Sequence, residues 1–420
     1  MTEELGPKRS VAAGLHALPG ARTAMASTQA AWRFYVNDAV TAPLLAEPLL
    51  ASARASVAEL APRWGLVVHD WSQLNFTTHE SKTDRVPIGS GSALGYHLQT
   101  WLLISDADGA PLAPLGQSLW AADGIHTTRR DGLVAERPHL DEITDAMESA
   151  EALRLGPPLL HIIDRGADSV GHFRDWIERG RRFLVRADAA PRVEYEGETI
   201  GLGQVGERVR LRAGEAVELS GGVLGQQFVG ETRVRIVRAA RPHRRVKGVT
   251  VKREVVAGPA VEARLVVSEI RTPDEQVVAR WLLVTNVGEE VSAEQIARWY
   301  YWRWKIESYF KLVKSAGHEL ESWQQESAGV ILKRLLVASM ACVVVWHLAR
   351  SAAPESEEAR RLLVRLSGRQ MRRNRPATEP ALMAGLMILL PMLDALEHYS
   401  LADLKRLARA ALPGFSRLLE

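Results

Sequence analysis

Cysteine is almost absent from this chain of 420 residues, which contains only Cys342, inside an apolar run. A single thiol allows no internal disulfide framework, and no H-E-x-x-H motif or Cys/His spacing is present, so these zinc-site patterns are excluded. The G-x-x-x-x-G-K-S/T loop of nucleotide-hydrolysing proteins is missing as well. We therefore expect a protein of a reducing, cytoplasmic compartment that binds no nucleotide.

Long hydrophobic runs are also scarce. The most apolar stretch, Leu335 to Ala349, is too short to span a bilayer and follows Lys333 and Arg334, so it predicts a core helix. The N-terminus does not show a charged segment followed by an apolar core and a cleavage site, which argues against export. We expect no membrane association.

The net charge is small, +3 by formal count, so it does not by itself indicate a nucleic-acid partner. Basic residues are nevertheless clustered in two stretches, which hold Arg233, Arg235, Arg238, Arg241, Arg244, Arg245, Lys247, Lys252 and Arg253, and then Arg360, Arg361, Arg365, Arg369, Arg372, Arg373 and Arg375. Each stretch taken alone could be solvated surface. Together with a phosphate-binding motif, they would favour DNA binding.

The most informative stretch is Ser292 to Gly317, which contains neither proline nor glycine before its last residue. Ser292 and Gln295 have the spacing of a capping box, so the stretch predicts one continuous helix. At about 100° per residue, one face of this helix carries a phenol, a carboxylate and two cations. These residues are Tyr300, Arg303, Glu307 and Lys314.

Two interpretations of this face remain open at this point. Glu307 has Arg303 and Lys311 at i,i+4 spacing, which is typical of a solvated, salt-bridged stripe. The many aromatic residues indicate instead a largely buried helix whose charges need partners. A carboxylate among phosphate-seeking cations suits an enzyme that holds a metal ion against a nucleic-acid backbone.

Two further apolar runs end on an acidic residue: Gly65 to Asp70, G-L-V-V-H-D, and Leu159 to Asp164, L-L-H-I-I-D. Both predict buried strands, and open α/β sheets place their sites at the carboxyl ends of strands. An aspartate after a strand is also common in turns and helix caps, so neither run alone decides between the two roles. We expect His69 and His161 to be core or supporting residues rather than metal ligands.

The spacing Y-x2-R-x3-E-x6-K resembles the YREK signature of the bacterial cut-and-paste transposases of the insertion sequence 4 family, which belong to the DDE superfamily. The resemblance implies a ribonuclease-H-like core with three metal-binding catalytic carboxylates, Asp70, Asp164 and Glu307. It also implies phosphate contacts from Tyr300, Arg303 and Lys314. Hard carboxylate ligands select Mg²⁺ or Mn²⁺, and two ions in each site are expected.

Shorter matches accompany this signature. Arg165-Gly166-Ala167-Asp168 resembles the family's second motif, D-R-E-x-D, with Gly166 in place of glutamate. Asp168 could instead cap the following helix. The segment Ala31 to Asp38 is similar to the one that closes the family's N-terminal DNA-binding part.

Three more DNA contacts are expected. Arg244 and Arg245 lie in the first basic stretch, and Trp281 opens the strand-like segment W-L-L-V-T. In family members that form a DNA hairpin, a similar tryptophan stacks on a base flipped from the DNA end. A core tryptophan at the start of a strand is the alternative interpretation.

The expected fold class is α/β, with a ribonuclease-H-like mixed sheet and a β-rich insertion before the last catalytic helix. We assign residues 1–65 to a short helical DNA-binding region, 66–180 with 281–350 to the catalytic core, 181–280 to the insertion, and 351–420 to a helical region that could mediate oligomerisation. Other predicted elements are strands at 96–104, 112–120, 208–212, 233–237, 263–270 and 281–285, and helices at 141–153 and 169–179.

The sequence thus predicts a DNA transposase that cuts and joins DNA at transposon ends by two-metal-ion phosphoryl transfer, with a hairpin intermediate. The expected partners are double-stranded DNA, both inverted repeats and target, and a second copy of the chain. Two alternatives remain: a catalytically silent or truncated DNA-binding relative, and a ribonuclease-H-like nuclease or resolvase without strand transfer.

Overall fold

The computed structural model describes residues 24–89, 91–218, 224–241, 245–246, 249–250, 255–315, 318–371 and 376–411. Its helices are α1 Ala24–Val36, α2 Ala42–Leu60, α3 His139–Ala152, α4 Val170–Glu178, α5 Leu202–Arg208, α6 Ala293–Tyr301, α7 Lys305–Lys314, α8 Ala328–Arg350, α9 Pro354–Ser367, α10 Glu379–His398 and α11 Leu401–Ala411.

The strands are β1 Gly65–Asn75, β2 Val86–Pro87, β3 Leu94–Ile104, β4 Pro111–Ala121, β5 Gly124–Thr127, β6 Leu159–Ile163, β7 Arg182–Ala187, β8 Arg192–Tyr195, β9 Glu198–Gly201, β10 Arg212–Glu218, β11 Leu224–Ile236, β12 Arg245–Val246, β13 Val249–Thr250, β14 Val261–Arg271 and β15 Val277–Thr285. The predicted strand at 208–212 is wrong, because the end of α5 occupies its first residue and β10 starts only at its last.

One mixed sheet organises the molecule, in the order β5-β4-β3-β1-β6-β7-β15-β14-β11-β8-β9. β4, β3 and β1 pair antiparallel, whereas β1, β6 and β7 pair parallel. The fold is therefore mixed α/β, and this strand order is consistent with the expected ribonuclease-H-like core.

The region assigned to an insertion extends this same sheet. β7 lies inside the interval 181–280, yet it pairs with β6 on one side and β15 on the other. β14 and β11 then add antiparallel strands beyond β15. The sheet is therefore continuous across the expected boundaries of the insertion, because β7 and β15 pair directly with each other.

Helices cover both faces of the sheet. Leu160, Ile162 and Leu184 join an apolar cluster that includes α2, α6, α7 and α8. Ile163 and Val185, one residue along on the neighbouring strands, join a second cluster with α4. The strict alternation of side chains along a strand produces these two faces.

Helix α8 is the predicted core helix around Cys342, whose side chain is fully buried. Length and composition alone would let α8 and α10 cross a membrane, but 56% of the most apolar window of α8 is buried inside the protein, against 22% for α10. Two such helices do not indicate a membrane protein. At its N-terminal end α10 approaches α9 closely, since a Cβ on Gly385 would lie 2.1 Å from the Leu363 carbonyl oxygen.

Candidate active site

The register of two parallel strands places the two predicted aspartates side by side. β1 pairs with β6 from Gly65 opposite Leu159 to His69 opposite Ile163. Asp70 and Asp164 are the next residues along the two strands, so they lie side by side where the parallel pairing of β1 and β6 stops. They also share the face of the sheet that α7 covers, since they alternate with His69 and Ile163.

The expectation that β1 ends at Asp70 is wrong. The strand continues to Asn75, because β3 keeps pairing with it from Thr100 opposite Asp70 to Gly95 opposite Asn75. Asp70 therefore lies within a strand that extends past its parallel neighbour. Among the described residues, no strand pairs with the β6 side of β1 from Asp70 onwards.

The predicted catalytic helix is divided into two parts. Ser292 caps α6 by accepting a hydrogen bond from the Gln295 N–H, at 3.2 Å, as its spacing predicted. A 3₁₀ turn at Trp302–Trp304 then separates α6 from α7. Because a 3₁₀ turn has three residues rather than 3.6, it rotates α7 relative to α6. Glu307 lies exposed in the first turn of α7, which packs on β1.

Arg303 is the direct partner of Asp70. Its Nη1 lies 2.6 Å from Asp70 Oδ2, and both side chains are largely buried. The Trp71 N–H donates to the other carboxylate oxygen of Asp70, at 2.8 Å. Arg303 thus neutralises the carboxylate directly, where the sequence had predicted a phosphate contact.

Electrostatics link all three predicted carboxylates. Burial raises the pKa of Asp70 from 3.8 to about 6; Arg303 and the Trp71 N–H oppose this rise, while the charges of Glu307 and Asp164 add to it. Burial by itself would lower the pKa of Arg303, but Asp70, Tyr300 and Asp164 raise it overall. The site therefore holds an excess of negative charge that a cation would relieve.

Arg186 is a site residue that the sequence reasoning missed. β7 pairs with β6 up to Val185 opposite Ile163, so Arg186 lies beside Asp164 in the same row as Asp70. Its side chain hydrogen-bonds to Tyr300, whose pKa is raised mainly by burial. The signal was an arginine near the end of the strand after Asp164, but only the register reveals its neighbour.

Lys314 occupies a separate position from the other signature residues. Its Nζ donates to the Gln73 carbonyl oxygen at 2.7 Å and forms an ion pair with Glu321 at 3.2 Å. Glu321 also accepts from the Asn75 N–H, at 2.9 Å. Lys314 therefore lies on the open edge of β1, three residues along the strand from Asp70.

Trp281 packs as a core residue in this structure. Its indole is 8% exposed, and its ring centroid lies 5.3 Å from that of Tyr300 in an edge-to-face contact. Of the two interpretations left open for this tryptophan, the geometry favours the core, since little of the ring remains for a base. Trp304, in contrast, is 57% exposed one turn before Glu307.

The first basic stretch is largely neutralised where it is described. Arg233 pairs with Glu289 and Arg235 with Glu194, both at 2.7 Å. Arg244 lies outside the described residues, and only the backbone of Arg245 is described, in β12. Their predicted DNA contacts stay predictions.

Asp168 does not cap the following helix. Ser169 is the residue before α4, while Asp168 forms an ion pair with Arg238 and accepts from the Asp188 N–H at 3.1 Å. It therefore ties the loop after β6 to the strands beyond it.

The histidines beside the aspartates face the opposite side of the sheet. His69 Nε2 and His161 Nδ1 lie 2.9 Å apart in the buried interior, and Glu151 lies 3.6 Å from His161. Burial lowers the pKa of both rings, so they are neutral at pH 7. They support the two strands and do not reach the carboxylates.

The chemistry of the donor set fits hard divalent cations. Asp70, Asp164 and Glu307 supply only carboxylate oxygens, and the charges of Glu307 and Asp164 add to the rise that burial causes in the pKa of Asp70. The three are not among the described acidic groups whose ligand atoms all lie within 4.8 Å of one another. Arg303 occupies one oxygen of Asp70, so a cation has to displace this guanidinium to use that oxygen.

One of the described groups that does meet this distance is Asp84, Asp123 and His126. Asp84 is already used for structure, because its Oδ2 accepts from the Ala328 N–H at 2.7 Å and its Oδ1 from the Tyr96 hydroxyl. Its carboxylate therefore anchors the start of α8.

Comparison with known families agrees with this geometry. A model of the transposase DDE domain matches residues 124–338, which is just over half of the chain. The matched segment contains Asp164, Glu307 and the whole signature helix, while Asp70 precedes it. No curated protein matches the sequence. Because this match covers more than half of the chain, including two of the three predicted carboxylates, the chain belongs to the transposase DDE domain family.

Proposed function

We propose that this protein is a DNA transposase of the insertion sequence 4 type, which cuts DNA at transposon ends and joins it to a target. The observation that carries the proposal is the β1–β6 register. It places Asp70 beside Asp164, with Glu307 close enough to perturb the same carboxyl group. Two carboxylates on the sheet and one on α7, from distant parts of the sequence, are near enough to interact at one sheet edge, where α/β folds place their sites.

Asp70, Asp164 and Glu307 would hold Mg²⁺ or Mn²⁺, two ions in each site. Bound there, such ions activate a water or a DNA 3′-hydroxyl and stabilise the leaving oxygen at phosphorus. The carboxylates of this chain set the position of the cations. His69 and His161, the histidines of the two strands, face the other side of the sheet and would supply no ligand to this site.

Arg303, Arg186 and Lys314 would bind the DNA backbone. When it is not paired with Asp70, Arg303 would donate to phosphate oxygens, which its planar guanidinium binds in pairs. Tyr300 holds Arg186 at the row of carboxylates by a hydrogen bond. Lys314, on the β1 edge, is suited to a phosphate further along the strand. Such contacts fix the position of the DNA and carry no sequence preference.

We also propose the cellular location and the partners that the sequence predicts. The protein would act in the cytoplasm on inverted repeats and target DNA, and two copies would pair the two ends. Release of the element through a DNA hairpin is part of the proposal, but Trp281 is buried against Tyr300 and can receive a base only if it leaves this contact.

The direct test is metal-dependent cleavage of DNA that carries the inverted repeats flanking the gene. The wild type should cut at the repeat end with Mg²⁺ or Mn²⁺ and not with EDTA. Asp70→Asn, Asp164→Asn and Glu307→Gln should each lose cleavage while DNA affinity is largely retained, because the cation site is lost and the phosphate contacts are not.

Asp175→Asn is the matched control, since Asp175 pairs with Arg179 on the surface of α4 and should not affect cleavage. A variant of the three that cuts like wild type would remove that residue from the site. A wild-type protein that binds the ends and never cuts them would instead be a silent relative, and cleavage without joining to a target would indicate a nuclease.

A further inference from the structure

A cleft of about 660 Å³ lies against the open edge of β1, next to the candidate active site. Its walls include Trp71, His97, His139 and Lys314. The volume falls within the range of about 300–1,000 Å³ that is usual for small-molecule sites. The roles proposed above use Lys314 and leave the three rings unexplained.

Three of these side chains belong to one aromatic cluster. Trp71 and His139 are stacked, with ring centroids 4.2 Å apart and planes inclined by 12°. Trp120 closes the far side of this stack through edge-to-face contacts at 5.1 Å from Trp71 and 4.7 Å from His139. His97 completes the cluster, with its ring centroid 5.9 Å from that of His139. The cluster is therefore a preassembled flat surface.

The surface is open on the side of the cleft. His139 is exposed, and Trp71 and His97 are half-buried, whereas Trp120 behind them is 9% exposed. The rings of Trp71 and Trp120 that pack against His139 keep water from part of it, and this desolvation lowers the pKa of His139 to about 4, with a smaller effect from His97. The ring is therefore neutral at pH 7. A neutral, flat ring that is already stacked on an indole is suited to stack against another flat ring.

Much of the remaining lining of the cleft is polar. Ser72, Gln73 and Asn75 line it together with Lys314, whose ammonium group lies 2.7 Å from the Gln73 carbonyl oxygen. Glu321 also lines the cleft and forms an ion pair with Lys314 at 3.2 Å, so Lys314 has to leave this carboxylate to bind a phosphate. A lining of hydroxyl, amide and charged groups does not suit a purely apolar side chain. It suits a heterocycle that carries hydrogen-bonding groups and is attached to a phosphate.

The cleft is also adjacent to the proposed active site along β1. Trp71 follows Asp70 directly, and its N–H donates to the Asp70 carboxylate at 2.8 Å. The two side chains point to opposite faces of β1, and the edge between them is open because β6 ends at Ile163. A DNA strand whose phosphate is at Asp70 and Asp164 can therefore pass over this edge to Lys314.

We propose that the cleft formed by Trp71, His97, His139 and Lys314 binds an unpaired nucleobase of the DNA strand that lies in the active site. The base stacks on the aromatic cluster, and Lys314 binds its phosphate. This proposal rests on the proposed function, because it takes the strand at the carboxylates to be DNA. It adds a site that distinguishes unpaired from paired DNA, since a base within a duplex cannot reach the rings.

The test uses the full chain in EDTA, so that binding is measured without cleavage. The probes are short single-stranded oligonucleotides with 2-aminopurine at successive positions, together with the matched duplexes. On the wild type, fluorescence should be quenched at one or two positions of the single strand and remain unquenched in the duplex. His139→Ala and Trp71→Ala should remove this quenching and weaken single-strand binding about 5- to 100-fold, with a much smaller change for duplex.

Two variants control for effects on folding. Trp71→Phe keeps a flat ring and should restore part of the quenching, while Ile177→Ala removes an exposed apolar side chain of α4 and should change nothing. His139 is exposed, so its replacement tests the surface even if Trp71→Ala is unstable. Unchanged quenching in His139→Ala and Trp71→Ala, or equal losses on single strand and duplex, would overturn the proposal.

Cleavage of the repeat ends by the wild type separates this failure from failure of the proposed function. Normal metal-dependent cleavage with unchanged quenching in the variants would refute the base site alone. Quenching that depends on Trp71 and His139 in a protein that never cuts DNA would support the base site and refute the enzyme.

Discussion

Asp70 is the carboxylate of the candidate site whose surroundings predict a pH dependence. It is buried, it is paired with Arg303, and it lies beside two other carboxylates. Its pKa near 6 follows from this placement. Without metal and at neutral pH, the charged form of Asp70 is therefore a penalty that lowers the free energy of unfolding.

This penalty predicts a pH dependence of stability without metal. Below about pH 4, Asp70 is protonated in the folded and unfolded states, so it carries no penalty; above about pH 6, it is charged in both, and the penalty is complete. The free energy of unfolding of the wild type should therefore fall, relative to Asp70→Asn, by about 3 kcal/mol as pH rises through this window.

Urea unfolding of both proteins in EDTA at several pH values measures this difference. A difference that stays constant between pH 4 and 7 would show that Asp70 has an ordinary pKa. Addition of Mg²⁺ at pH 7 should stabilise the wild type more than the variant, because a cation offsets the repulsion among the carboxylates.

Trp281 gives a second prediction at this scale. Because its indole is 8% exposed and packs on Tyr300, Trp281→Ala should lower the free energy of unfolding by about 3–5 kcal/mol. Nicking and hairpin formation should then decline together. Thermal unfolding and a gel that resolves nicked from hairpin DNA measure the two effects. Normal stability with selective loss of hairpins would show that Trp281 receives a base after all.

At the scale of elements, the strands β11, β14 and β15 form a platform that carries the basic stretch. Several of its arginines already pair with glutamates, as Arg233 does with Glu289. Pairing of this kind leaves fewer cations for DNA. The arginines of interest are therefore those in the segment between β11 and β14.

Replacement of Arg244 and Arg245 by alanine should reduce the salt dependence of DNA binding. Each lost phosphate contact lowers the slope of log K against log salt by about 0.9, so the double variant should lose about 2. Binding measured over a range of salt concentrations gives the slope. Arg233→Ala with Arg235→Ala is the control and should have a smaller effect, because glutamates already neutralise both. Equal slopes for wild type and the Arg244/Arg245 variant would assign this stretch to solvated surface.

At the scale of the whole molecule, the C-terminal helices combine internal packing with an exposed apolar face. The first half of α10 packs internally through Ala381, Leu382 and Met383. Its second half and the start of α11 expose a row of apolar side chains: Leu390, Met392, Leu393, Leu396, Tyr399 and Leu401. The internal packing is therefore real, and an apolar face remains beyond it.

We predict that this face pairs two copies on DNA. Leu393→Asp with Leu396→Asp should leave the monomer folded and abolish the two-copy complex on repeat-end DNA, measured by light scattering with and without DNA. Ile177→Asp, at an exposed isoleucine of α4, is the control and should pair normally. A complex of one protein per DNA end at all concentrations of the wild type would refute the prediction.

Much of the site could be derived from the sequence, because it rests on local patterns. Helical periodicity collected Tyr300, Arg303 and Glu307 on one face, and two apolar runs ending in acid marked Asp70 and Asp164. These patterns depend on side-chain spacing within one element, which the chain order determines directly.

Register and packing are properties of the tertiary structure, and they decided the rest. The ladder between β6 and β7 brought Arg186 to Asp164, the 3₁₀ turn rotated Glu307 relative to Arg303, and burial turned Arg303 into the partner of Asp70. The stack of Trp71 on His139 joins residues from a strand and a helix far apart in the chain. The sequence by itself determined which groups are available for chemistry, whereas the pairing of strands determined which of them meet, because the partners of a strand lie outside its own sequence.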